Sequence, residues 1–134
     1  MLIARKVALK VIVTDDFKKR YVAQLNSLSA EVKVELEKIK TTEAQLMLKV
    51  QTMDYNYVMQ VREQLEREKS TRESTLKEIE SRMAEMQGMA EGTIFPQGTL
   101  DSLVEIKSGD DLESKLSKAE IIIKDNVVQS VNEG

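Results

Sequence analysis

The chain has 134 residues, 41% of them hydrophobic and 32% charged, with a formal net charge of −3. It contains no cysteine and no histidine. Disulfides and thiolate metal sites are therefore excluded, and the side chain that most often serves as general base, zinc ligand or pH switch is missing.

Length allows about one domain. No apolar run approaches the roughly 20 residues of a membrane-spanning helix, so no membrane partner is expected. The N-terminal MLIARKVALKVIV interleaves Arg5, Lys6 and Lys10 with apolar residues. A secretory signal has a continuous apolar core instead, so the expectation is a cytoplasmic protein.

Leu2 to Val13 alternates with period two and is rich in β-branched residues, which predicts a strand. Its Val7, Leu9, Val11 and Val13 face should meet a core. Thr14-Asp15-Asp16 reads as a helix start, because a threonine or aspartate oxygen can accept from first-turn amides and acidic groups suit the helix dipole.

From Asp15 to Gln87 there is neither glycine nor proline; Gly88, Gly92, Gly98, Gly109, Gly134 and Pro96 all lie beyond. The stretch reads as a helical stalk. Phe17, Tyr21, Leu25, Leu28, Val32, Leu36, Ile39, Leu46, Val50 and Met53 follow steps of three or four, with one gap around Thr42 and Glu43. Such a series is a coiled-coil seam. A second series runs Tyr57, Val61, Leu65, then Leu76, Ile79, Met83 and Met86.

Two architectures fit. One is a single helix of about 73 residues, roughly 110 Å long; the other is a hairpin turning near residues 53–57, with arms of roughly 55 and 48 Å. The turn-like cluster Met53-Asp54-Tyr55-Asn56 near the midpoint favours the hairpin.

In a hairpin, Glu66 to Thr75 (EREKSTREST), which has no strongly apolar residue, lies opposite Val34 to Glu43. Leu36 and Ile39 would then lack an apolar partner in the same chain. Burial of such side chains is worth about 1.5–3 kcal/mol each. A second copy is the simplest cover, so a homo-oligomer (dimer or tetramer) is expected, two hairpins forming a four-helix arrangement. Leu36, Ile39, Leu46 and Val50 are the interface candidates.

Gly88 to Gly98 ends the helix and reads as a linker. Thr99 to Lys107 reads as a strand. Asp110 to Lys118 fits a short helix with Asp110 and Glu113 as a capping box. Ala119 to Lys124 and Val127 to Val131 read as strands around Asp125-Asn126, a pair suited to a two-residue type I′ turn. The fold class is therefore α+β: a long antiparallel helical hairpin with a small, mostly antiparallel β-domain made from both termini. Residues 1–14 supply its first strand, 15–90 the coiled coil, and 91–134 the remaining strands and short helix.

No phosphate-cradling loop, nucleophile elbow or metal-ligand cluster is present, so no catalytic, cofactor or metal residues are assigned and no cofactor is expected. Tyr55, Tyr57 and Met59 at the expected turn are candidates for contact with a further, unidentified protein partner, since aromatic and methionine side chains form adaptable contacts. Packing of the turn, or an oligomer contact, is the plainer explanation of them. Lys10, Lys18, Lys19 and Arg20 are candidates for a basic patch that meets phosphate. Against that, residues 1–14 carry +3, 15–53 +1, 54–90 −2 and 91–134 −5, and no segment builds a strong basic field.

The strand KVALKVIVTDDFK, the charged coiled coil, and the IKSGDDL and EIIIKDNVVQSV segments together resemble the YlqD-like family of small bacterial and cyanobacterial proteins. The resemblance implies the architecture above and no activity, so no catalytic residues carry over. In some bacilli such proteins look to be encoded beside RNA-processing and ribosome-maturation factors. Two functions are thus expected: a non-catalytic, self-associating structural or protein-interaction protein, or an RNA- or ribosome-associated accessory factor using the basic patch.

Overall fold

The computed structural model describes residues 1–134. The chain forms β1 (Leu2–Ile12), α1 (Asp15–Leu48), α2 (Tyr55–Gln87), β2 (Ile94–Glu105), α3 (Leu112–Ser117), β3 (Glu120–Lys124) and β4 (Val127–Asn132). It divides into two units, Met1–Lys19 with Met89–Gly134, and Arg20–Gly88.

The first unit is a four-stranded sheet of order β2-β1-β3-β4. β1 runs antiparallel to β2 and parallel to β3, and β3 runs antiparallel to β4. Its core is built as the period-two pattern requires: Val7, Val11 and Val13 are 6%, 2% and 0% exposed. The parallel register sets Leu9 beside Ile121 and Val11 beside Ile123, so β3 continues that apolar face. Phe17 and Phe95 add a tilted ring pair with centroids 6.1 Å apart.

Thr14 supplies the helix cap; its Oγ1 accepts from Phe17 N at 3.1 Å and donates to Asp125 Oδ1 at 2.7 Å. Asp125 and Asn126 sit at φ 48° and 65°, the positive values that a two-residue type I′ hairpin demands.

The expected linker Gly88 to Gly98 is shorter in the structure, because β2 starts at Ile94 rather than Thr99. Ile94, Phe95 and Pro96 pair with Ile12, Val11 and Lys10, and a bulge separates Pro96 from Gly98. Pro96 is accommodated because β2 is an edge strand with that bulge. Gly92, at φ +88°, turns the chain so that its N–H meets Val13 O at 2.8 Å. The expected capping box at α3 does not form. Asp110 Oδ2 accepts from Lys107 N at 2.8 Å instead, and Asp111 occupies the cap position without a backbone bond from its side chain.

The second unit is the helical hairpin. The turn occupies residues 49–54, slightly before the expected 53–57. Asp54 does not form the turn's centre but caps α2, accepting from Asn56 N at 3.2 Å. The apolar seam is more regular than expected. Leu28 is 48% exposed while Ser29 is 6% exposed, so the seam runs Leu25, Ser29, Val32, Leu36, Ile39, Glu43, Leu46, Val50 in strict steps of four and three.

Candidate functional site

Leu36 and Ile39 are 7% and 8% exposed within a single chain. That corrects the reasoning that left them without cover. Arg72 Nε donates to Glu35 Oε2 across the hairpin at 3.0 Å, which fixes the register and brings the Leu36–Ile39 part of α1 alongside the part of α2 that carries Glu68, Lys69 and Arg72. All three of these side chains are half-buried. Long charged residues cover apolar surface with their aliphatic stems while their heads stay in water. The polar stretch Glu66 to Thr75 thus lids the seam by stems. Leu46 and Val50, nearer the turn, are half-buried.

The outward face of α1 is different. Ala23, Ser27, Ala30, Val34, Glu37, Thr41, Ala44 and Leu48 repeat in steps of four and three, and every one is exposed. Val34 is 54% exposed and sits in a shallow, open concavity with Lys33, Glu37, Lys38, Thr41 and Thr42. Leu48 is 86% exposed. Only Val34 and Leu48 on this face are large and apolar, so no hydrophobic periodicity marks it in the sequence.

At the turn, Tyr55 and Tyr57 are exposed, Met59 is half-buried, and Val58 between them is fully buried. Val58 is the packing residue there. Leu48, Tyr55 and Tyr57 lie exposed on either side of the turn.

Two of the four basic candidates, Lys10 and Lys19, are paired with carboxylates. Lys10 Nζ lies 2.7 Å from Glu120 Oε2, and Lys19 Nζ lies 3.0 Å from Asp15 Oδ2 one helical turn away. The hydrogen bond to Asp15, with the charges of Asp15 and Asp16, raises the Lys19 ammonium above its ordinary value. Lys6 pairs with Asp101. Arg5 Nη1 donates to Lys115 O at 2.9 Å and Glu133 O at 2.7 Å, which ties the C-terminal segment to β1. Lys18 is half-buried and Arg20 is exposed. Neighbouring carboxylates thus offset the charges of Lys6, Lys10 and Lys19. No three acidic side chains converge as a metal site would require, and no helix is long and apolar enough to cross a membrane.

The fold is thus an α+β chain in which both termini share one sheet and the middle forms a helical hairpin. The chain belongs to the YlqD protein family, whose sequence model matches residues 1–132. Comparison with curated proteins finds no match. Among solved structures, the chain is similar to a protein of unknown function from Synechococcus sp. WH 8102, at 22% identity and a TM-score of 0.88, over 99% of this chain and 95% of that one. At that identity the likeness concerns the fold alone.

Proposed function

We propose that the protein is a non-catalytic, cytoplasmic structural protein that self-associates through the outward face of α1. The observation that carries the reading is the exposed heptad face centred on Val34 and ending at Leu48. The exposed Val34 and Leu48 lie on one side of α1, with Ala23, Ala30 and Ala44 on the same side permitting close approach, and a second copy of the chain supplies a matching side. Glu37 on the face and Lys33 and Lys38 beside it bring both signs of charge, which suits pairing with an identical partner. The expected interface thus moves from Leu36 and Ile39, already covered, to residues on the opposite side of the same helix. Tyr55, Tyr57 and Leu48 form a secondary contact surface at the turn. The RNA-associated alternative has less support, since Lys6, Lys10 and Lys19 each sit beside a carboxylate.

Light scattering of the full chain at micromolar concentration tests the proposal. A multimer is expected, and Val34→Glu should dissociate it without changing helical content. A monomer throughout the micromolar range would sink the reading.

A further inference from the structure

The order β2-β1-β3-β4 leaves one open edge on β2 and one on β4. Open edges carry unpaired backbone donors and acceptors, and natural sheets guard them with proline, charge, bulges or brevity. β2 is well guarded. Pro96 has no N–H, Gln97 is bulged out between Gly98 and Pro96, and Asp101 and Glu105 bring negative charge.

β4 lacks most of these guards. Val127–Asn132 contains no proline, glycine or charged residue, and all six residues are exposed. Val127, Val128 and Val131 are 60%, 55% and 58% exposed. Its one irregularity is a bulge: Ile123 pairs with Val128 and Ile122 with Ser130, leaving Gln129 over. The extra residue puts Val128 and Val131 on one face, beside Ile123 and Ile121. They carry the apolar face of the sheet to its margin.

We infer that β4 pairs antiparallel with β4 of a second copy about a two-fold axis between Gln129 and Ser130, joining two four-stranded sheets into one. The strand is its own complement in that register. Val128 meets Val131 of the second copy, Gln129 meets Ser130, Val127 meets Asn132, and Glu133 meets Asn126. No like charges oppose each other, and the valine pair occurs twice by symmetry. The same operation on β2 would oppose its acidic residues and interrupt the ladder at Pro96. Six residues per copy bury far less than the roughly 800 Å² per partner of a standard interface, so this contact forms at high chain concentration. It is independent of the hairpin contact.

Hydrogen exchange of the full chain, read residue by residue by NMR from low micromolar to near-millimolar concentration, tests it. The outward amides of β4 should exchange roughly tenfold more slowly at the high end, since a paired edge amide exchanges only on opening. Val128→Lys with Val131→Lys, both at exposed positions, should abolish that protection and leave the rest of the sheet unchanged. Val34→Glu should leave it intact, which separates this contact from the hairpin one. Exchange that is independent of concentration overturns the inference, as does protection that survives the double substitution. Protection that appears only on adding another protein also overturns it, because the occupant would then not be a second copy.

Discussion

Leu36→Ala distinguishes a seam completed within one chain from one completed between chains. Leu36 is 7% exposed in the isolated chain, so its side chain loses in-chain contacts when truncated. Leucine-to-alanine changes in cores cost about 2–5 kcal/mol, the spread reflecting how well the site collapses. The part of α2 alongside Leu36 and Ile39 carries Glu68, Lys69 and Arg72, all half-buried. Flexible stems close a cavity better than packed branched residues do, which places the cost near the lower end, about 2 kcal/mol. The hairpin unit spans Arg20–Gly88. For a unit of that size each kcal/mol moves the melting temperature by about 4–8 °C, so a drop of roughly 8–16 °C is expected. Far-UV circular dichroism during heating, at two chain concentrations, reads it. The offset between parent and variant should be the same at both. An unshifted melting temperature, or loss of multimer with unchanged monomer stability, would return Leu36 to an inter-chain role.

Arg72→Met should be neutral or slightly stabilising, within about 1 kcal/mol, because the exposed pair with Glu35 contributes little and a methionine stem covers the seam at least as well; urea denaturation measures it, and a loss above about 2 kcal/mol would refute the stem argument. Thr14→Ala removes both the bond from Phe17 N and the one to Asp125, and should cost about 1–2 kcal/mol in the same assay; no change would show the cap to be dispensable. The Lys19 pKa is raised above 10.5 in the folded chain. Whatever stability the pair with Asp15 gives is therefore complete below that pH and is lost as pH climbs through the raised value. In Asp15→Asn, an NMR titration of the Lys19 side chain should show its midpoint falling; an unmoved midpoint would exclude Asp15 as the cause.

Much of the fold is legible in local pattern. Period two from Leu2 to Val13, the absence of glycine and proline through Gln87, and the Asp125-Asn126 turn each specify an element by its own backbone physics. The misses arise where one chemical type does another's task. Ser29 was passed over for Leu28 because hydropathy was weighed above strict spacing, although a hydroxyl at a narrow seam position packs closely. Glu68, Lys69 and Arg72 were read as a gap because charged heads conceal apolar stems. Pro96 falls inside the expected linker, whereas an edge position beside a bulge needs no N–H and lets β2 include it. Asp110 had a capping spacing, but the nearer Lys107 amide captured its carboxylate. None of these outcomes is local: each depends on which neighbour the fold brings alongside.

The two heptad series on α1 are offset by two residues, which at about 100° per residue places them roughly 200° apart, on nearly opposite faces. The large apolar residues Leu25, Leu36 and Ile39 lie on the inner face, and the small ones Ala23, Ala30 and Ala44 on the outer. Small residues permit close approach but bury little area, so most of the association energy of the outer face must come from Val34 and Leu48. Val34 is also next to Glu35, whose partner Arg72 marks the polar third of α2. At that height the hairpin's own seam rests on flexible stems rather than on apolar pairs, and local opening should be easiest there. On the proposed self-association, a second hairpin seated on Val34 would brace α1 where its own seam rests on stems. Association and local stability are then coupled, and amides around Val34 should gain protection on multimerisation before those near Leu25 do. Equal protection along α1 would break that coupling and leave the outer face as a solvated surface.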